Sequence, residues 1–322
     1  MSDNIVNKKI LLVGSGPMSQ AYAKVLGALN VQFDVVGRGQ ESAAAFEAAT
    51  GVRPVIGGLS AFIDTHAATA YTGAIIATGT EMLKETTLQL AQWGIKEVLV
   101  EKPGAKSIED AVALYAAMEH HKTQVFIAYN RRFYASVQRL REIIAEDGGV
   151  SSFNFEFTEW SHVITPLQKA EGVKENWLFA NSTHVIDLAF YLGGAPAAMS
   201  SYTADRLPWH PVAIFAGSGI TENGGLFAYQ ANWKAPGRWG VEILTARHRL
   251  YLKPLEKLQI QKLGSVQVED FPIEDSLDTQ FKPGLYNQTK AFIFGEFDKL
   301  VTLSEHIKNC TYYTQILTGG KF

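Results

Sequence analysis

Cysteine is almost absent from this chain: Cys310 stands alone among 322 residues. One thiol cannot close an intramolecular disulfide or build a thiolate metal cluster. In the apolar stretch NCTYYTQIL it reads as a core residue, so thiol-redox and zinc-thiolate chemistry drop out and no metal is expected. An excess of one charge is missing too. The net charge of -3 draws neither nucleic acid nor an anionic membrane surface. No run reaches the roughly 18 uninterrupted apolar residues of a membrane span, and MSDNIVNKKI holds no apolar segment of signal-peptide length. The expectation is a cytoplasmic protein. Internal repeats, low-complexity tracts and Pro- or Ser-rich linkers are also lacking, so any domain boundary is tight.

What is present fills two domains of ordinary size, residues 1–130 and 131–322. The first alternates short apolar runs with helical patterns. Strands are expected at Lys9–Val13, Phe33–Val36, Gly73–Ala77, Glu97–Val100 and Gln124–Ala128, with a shorter one near Pro54–Ile56. Ser107 and Asp110 make a capping-box start for SIEDAVALYAAM, where Ala111, Leu114, Tyr115 and Met118 recur at helical spacing. Right-handed crossovers order such strands as a Rossmann-type, doubly wound parallel sheet, an α/β domain. Beyond residue 150 the pattern changes. SSFNFEF puts Phe153, Phe155 and Phe157 on one face, and strands follow at Met199–Thr203, Leu226–Trp233, Trp239–Leu244, Arg249–Leu252 and Ser265–Phe271, with helices at Leu285–Leu300 and Ser304–Leu317. Strands without helices between them imply an α+β domain with an open, mainly antiparallel sheet.

Gly14 and Gly16 lie directly after KKILLV and before a helical pattern of Ala21, Tyr22, Val25 and Leu26. In that setting the first glycine permits the tight turn and the second lets a pyrophosphate approach the backbone, with Pro17 and Met18 opening the helix whose N–H groups face the phosphates. Ser19 stands where a third glycine is common. The second strand ends FDVVGRG, and where an acid would bind the ribose hydroxyl of NAD there are Gly37 and Arg38. A small residue plus a guanidinium accommodates a 2′-phosphate, so NADP is favoured over NAD; Asp34, inside the strand, is a poor substitute for the acid. EVLVEKPGAKS then sets Glu101 and Lys102 at the C-terminal edge of a parallel strand, where ligands of such sheets collect, with Pro103 ending the strand.

VGSGPM, Glu-Lys-Pro at 101–103, YNRRF at 129–133 and NSTHVIDLAFYLGG at 181–194 together resemble the glucose–fructose oxidoreductase/inositol dehydrogenase/rhizopine catabolism family, Gfo/Idh/MocA. The resemblance implies a Rossmann domain joined to an α+β domain, and hydride transfer at a sugar, cyclitol or nucleotide-sugar carbon. It also implies that Lys102 is the catalytic lysine and His184 the histidine facing the nicotinamide, with Thr78, Glu101, Asn130 and Arg131 near the cofactor. Two positions depart from the family pattern. Ala180 stands where many members carry an aspartate four residues before the histidine, and Thr78-Gly79-Thr80-Glu81-Met82-Leu83 replaces Thr-Pro-x-x-x-His, losing its histidine.

Around these motifs, Arg132 is expected to brace the domains, and the polar, aromatic stretch 158–177 to form a substrate lid. Trp160, His162 and Trp177 would offer sugar-stacking rings, with Asn181, Tyr286 and Gln288 as further substrate contacts. His184, Leu188 and Tyr191 share a helix face that Gly193-Gly194 closes. Flat, aromatic strands such as LFAYQANW point to a homodimer or homotetramer. The leading expectation is an NAD(P)-dependent oxidoreductase acting on a carbohydrate hydroxyl or ketone. Two alternatives stand beside it: a glycosidase-like enzyme that retains NAD and cycles it internally, and a non-catalytic dinucleotide sensor that Ala180 keeps open.

Overall fold

The computed structural model describes residues 8–321. Its strands are β1 (Lys9–Val13), β2 (Gln32–Gly37), β3 (Val55–Ile56), β4 (Gly73–Ile76), β5 (Glu97–Glu101), β6 (Gln124–Ala128), β7 (Ser152–Glu156) and β8 (Pro196–Ala204). They continue with β9 (Ile214–Thr221), β10 (Leu226–Asn232), β11 (Gly240–Leu244), β12 (His248–Leu252), β13 (Gln259–Lys262), β14 (Val268–Asp270), β15 (Val301–Thr302) and β16 (Gly320–Lys321).

The chain divides into two compact units. The first runs to Tyr129 and takes in Gln280–Ile307; the second holds Asn130–Thr279 and the chain from Lys308 on. The first unit is built on a seven-stranded sheet ordered β15-β6-β5-β4-β1-β2-β3. Its pairs are parallel except β15 with β6. That order is the doubly wound Rossmann arrangement the alternating pattern predicts. The central strands are covered on both faces, and Leu11, Ile75 and Leu99 are fully buried, which is why they read as unbroken apolar runs. The Ile108–Met118 helix starts as predicted, with the Asp110 N–H donating to Ser107 Oγ at 3.2 Å.

The second unit carries a nine-stranded sheet ordered β14-β13-β12-β11-β7-β10-β9-β8-β16, in which only β7 and β10 run parallel. The register sets Phe153 beside Phe227 and Phe155 beside Tyr229, and each pair stacks at 5.3 Å. The Thr183–Gly193 helix lays Phe190 edge-on against Phe155 and Phe227, and is buried over nearly its whole length.

Strand β9 was not expected because Gly217 and Gly219 dilute its pattern. Their neighbours explain both: they sit opposite Tyr229 and Phe227, and a Cβ on Gly219 would lie 2.6 Å from the Phe227 ring. The strand expected at Ser265–Phe271 shortens to β14. Gly295, at φ +77, stops the Leu285–Phe294 helix well short of the expected Leu300. Cys310 is buried, and among the described residues no helix is long and apolar enough to cross a membrane.

Candidate functional site

Gly14 leaves β1 at φ +118, and a Cβ there would lie 2.5 Å from the Ala77 carbonyl oxygen, so only glycine fits. Its N–H donates to the Val36 carbonyl at 2.8 Å and ties the turn to β2. Gly16 is the N-cap of the Pro17–Ala28 helix. No side chain caps that end, and a Cβ on Gly16 would meet nothing within 4 Å. An open approach to uncapped N–H groups at the positive end of a helix suits a pyrophosphate. Ser19 is fully buried and its hydroxyl donates to the Ala77 carbonyl at 3.3 Å, so it closes helix onto sheet in place of a third glycine. The turn opens on a cavity of about 910 Å³ that reaches from Gly14, Gly16, Pro17 and Met18 to Arg38 and to Thr78.

At the β2 end of this cavity a Cβ on Gly37 would stand 2.7 Å from Ser15 Oγ, so a side chain there would displace that hydroxyl. Ser15 donates to Ser42 Oγ at 2.9 Å, and Ser42 to the Gly39 carbonyl at 3.1 Å. Asp34, the only acid of β2, is engaged elsewhere by Lys9 at 2.7 Å and by the Tyr71 hydroxyl. Burial pushes its carboxyl up, but those two partners outweigh burial and hold it below the usual range. Arg38 is exposed on the cavity's edge.

At the end of β5, Glu101 accepts a hydrogen bond of 2.8 Å from the Tyr22 hydroxyl. Tyr22 is fully buried, and burial together with the Glu101 charge raises its phenol, which keeps it a donor. The half-buried Lys102 follows, joined to Pro103 by a cis peptide bond.

In the second unit a second polar site gathers at one sheet edge. Strands β7 and β10 are parallel and β11 is antiparallel beside β7, so residues after β7, after β10 and before β11 emerge together. Glu159 comes after β7 and is 3% exposed. Asn181 Nδ2 and Ser182 Oγ both donate to its Oε1, at 3.0 and 2.7 Å, from the π-helical turn Leu178–Ser182 that leads into the Thr183–Gly193 helix. Burial raises the Glu159 carboxyl above its ordinary value, against the opposing hydrogen bonds of Ser182, Asn181 and Trp177 and the charge of Arg238. Before β11, the Trp239 ring carries the Arg131 guanidinium at 4.8 Å and that of Arg238 at 5.0 Å, and lies 6.1 Å from the His184 ring. Burial lowers the Arg131 pKa, and its Nε is buried with no hydrogen-bond partner.

Residues 8–129 match the family described as an oxidoreductase family with an NAD-binding Rossmann fold, Gfo/Idh/MocA. That match makes residues 8–129 similar to the family's NAD-binding Rossmann domain and covers less than half of the chain. Levoglucosan dehydrogenase of Pseudarthrobacter phenanthrenivorans is 28% identical over 152 residues, which span 42% of this chain and 37% of that protein. Among solved structures, levoglucosan dehydrogenase in complex with NADH superposes with a TM-score of 0.77 at 18% identity over 96% of both chains. An oxidoreductase from Agrobacterium radiobacter in complex with NAD+, L-tartaric acid and magnesium gives 0.78 at 13% over 98% of both. UDP-N-acetylglucosamine 3-dehydrogenase from Acidithiobacillus ferrooxidans gives 0.72 at 16% over 96% of both. At such identities the shared feature is the fold.

Measured against the Gfo/Idh/MocA pattern, the two departures have apolar settings: Ala180 and Leu83 are both buried. Arg132, expected as a brace between domains, forms a buried two-point ion pair inside the second unit, its Nε and Nη2 donating to Asp187 at 2.8 and 2.7 Å. The motif His-x-x-Asp thus places its aspartate in the scaffold. Asn130 is buried in the turn Asn130–Phe133. Trp160 is 45% exposed, donates from Nε1 to the Gly237 carbonyl at 2.8 Å and stacks with His162 at 6.2 Å. The segment expected as a lid is tied to the rest of the second unit at Trp160 and where Ser161 Oγ donates to the Trp233 carbonyl, and Lys174 Nζ donates within the segment to the Thr165 carbonyl at 2.7 Å. Tyr286 and Gln288 lie in the first unit, where Tyr286 packs on Phe281 at 5.1 Å and Gln288 is fully buried. Sequence reasoning passed over Glu159, Arg238 and Trp239. Their signal was positional: each pair, Glu-Trp and Arg-Trp, adjoins a strand end on the same edge of the sheet.

Proposed function

We propose that this chain is an NADP-preferring oxidoreductase that moves hydride at a hydroxyl or ketone carbon of a sugar, cyclitol or nucleotide-sugar. The observation that carries the cofactor choice is the β2 end of the cavity. Gly37 leaves no acid to repel a 2′-phosphate, Asp34 is occupied by Lys9 and Tyr71, and Arg38 offers a guanidinium. The carbohydrate class is supported by the levoglucosan and UDP-N-acetylglucosamine dehydrogenases among the relatives.

Gly14, Gly16, Pro17 and Met18 would hold the pyrophosphate, and Arg38 the adenosine end. The bound nicotinamide supplies the two-electron acceptor or donor. Lys102 donates a hydrogen bond to the substrate oxygen and stabilises the negative charge it gains as its proton leaves, and His184 assists that proton's removal. The exposed face of the nine-stranded sheet, where Tyr202 and Leu226 are 66% and 60% exposed, serves a homo-oligomer.

Calorimetry with NADP(H) and NAD(H) tests the reading, followed by an absorbance screen of sugars, cyclitols and nucleotide-sugars with the preferred cofactor. The expected result is tighter NADP binding that Arg38→Ala weakens by about tenfold or more, a loss of roughly 1.4 kcal/mol, with NAD binding little changed. An unchanged ratio in Arg38→Ala refutes the cofactor assignment, and binding of neither dinucleotide refutes the function.

A further inference from the structure

We propose that Lys282 is a further cofactor-binding residue, a cation that the late part of the chain brings to the helix N-terminus where a dinucleotide's pyrophosphate would bind. The inference rests on the dinucleotide-binding reading and deepens it by naming the side chain that balances the pyrophosphate charge. Lys282 belongs to the first compact unit, which takes in Gln280–Ile307. Its Nζ donates to Met18 Sδ at 2.8 Å, across 264 residues of sequence. Met18 is the second residue of the Pro17–Ala28 helix and lines the cavity onto which the Gly14–Gly16 turn opens. A turn fixes the direction from which the lysine approaches. The Leu285 N–H donates to the Lys282 carbonyl at 3.0 Å, and Gly284, at φ +72, is the N-cap of the Leu285–Phe294 helix.

Charge makes this placement informative. Both phosphate groups of a pyrophosphate are anionic, and a helix N-terminus offers the equivalent of roughly half a positive charge. Arg38 is the sole charged side chain among the described residues that line the cavity, and it stands at the β2 end. The cavity lining thus leaves the pyrophosphate undercompensated, and Lys282 makes up the difference. In the absence of an anion the placement is unfavourable: the positive end of a helix repels an ammonium, and a thioether is a weak acceptor that supplies no counter-charge. Packing of the lysine's aliphatic stem on Met18 explains the contact only in part, because an uncharged side chain would cover the thioether without opposing the helix dipole. With a pyrophosphate bound at Gly16, the same ammonium gains both a counter-charge and a charge-assisted acceptor.

The two cations therefore answer to different parts of the cofactor. Arg38 is matched to the 2′-phosphate, which distinguishes NADP from NAD, and Lys282 to the pyrophosphate, which they share. Loss of the Lys282 charge weakens both dinucleotides alike and leaves their ratio unchanged, whereas loss of Arg38 changes the ratio. Because Lys282 is exposed, its contribution shrinks as salt is raised.

The test is calorimetry on the full chain, as wild type, Lys282→Met and Lys282→Arg, with NADP, NAD, ADP-ribose and adenosine 2′-monophosphate as ligands. Methionine keeps an aliphatic stem over Met18 and removes the charge; arginine restores the charge. Lys282→Met is expected to weaken NADP, NAD and ADP-ribose each by about tenfold at low salt, with a smaller gap at high salt. Adenosine 2′-monophosphate, which has no pyrophosphate, binds as it does to wild type, and Lys282→Arg recovers most of the loss. Binding of the three pyrophosphate ligands by Lys282→Met within about twofold of wild type overturns the proposal. So does a loss that extends equally to adenosine 2′-monophosphate, or one that Lys282→Arg fails to recover, since either marks packing rather than charge. Failure of wild type to bind either dinucleotide overturns the dinucleotide reading itself, and the proposal with it; the wild-type titration reports that outcome separately.

Discussion

Replacing Asp187 by alanine removes the carboxylate of the most deeply buried ion pair described here, and the expected cost can be worked from its surroundings. The Arg132 and Asp187 side chains are 7% and 1% exposed, and two charge-assisted bonds of 2.8 and 2.7 Å join them, with the Tyr191 ring 4.4 Å from the guanidinium. Deleting one member leaves a buried guanidinium without its counter-charge, a loss of about 3–5 kcal/mol. With roughly 2–4 °C lost per kcal/mol in a unit of this size, the second unit should melt about 6–20 °C lower. Chemical denaturation followed by tryptophan fluorescence reports that unit, since five of the chain's six tryptophans lie after residue 130. The paired replacement Arg132→Met with Asp187→Leu should be less damaging than Asp187→Ala alone, because it removes both charges. A loss below about 1 kcal/mol in Asp187→Ala would refute the scaffold role and return the aspartate of His-x-x-Asp to consideration as a chemical group.

Two further outcomes follow from packing and charge. Gly219→Ala places a Cβ against the Ala198 carbonyl and 2.6 Å from the Phe227 ring, so urea denaturation should show a loss of about 1–3 kcal/mol; a change within about 0.5 kcal/mol would mean that β9 sits differently against its neighbours. Burial raises the Asp147 carboxyl, but Thr245, His248 and Arg247 outweigh it and hold it below the usual range. The stability it contributes is therefore present above the unfolded value near pH 4 and is lost as pH falls through the lower native one. Asp147→Asn should flatten the acid limb of a stability–pH curve below about pH 4, and an unchanged limb would contradict that.

The parts of this molecule legible in its sequence are those where one residue type answers one local demand. Gly14 is readable because a turn at φ +118 against the Ala77 carbonyl admits nothing else, and the buried strands of the first unit because parallel strands covered on both faces have no polar alternation to confuse. Strand β9 was illegible for the opposite reason. Gly217 and Gly219 weaken the local pattern and make sense only beneath Tyr229 and Phe227, more than seven residues on and in another strand. The same limit hid Glu159. Along the chain it is one acid between a threonine and a tryptophan, 25 residues before His184; in the fold, the parallel pairing of β7 with β10 and the π-helical turn bring Asn181 and Ser182 onto its carboxylate. Ala180 read along the chain keeps a sensor open beside an enzyme. In the fold the side chains that follow it, Asn181 and Ser182, are committed to the Glu159 carboxylate, a pairing between segments more than twenty residues apart that no local spacing in the chain announces.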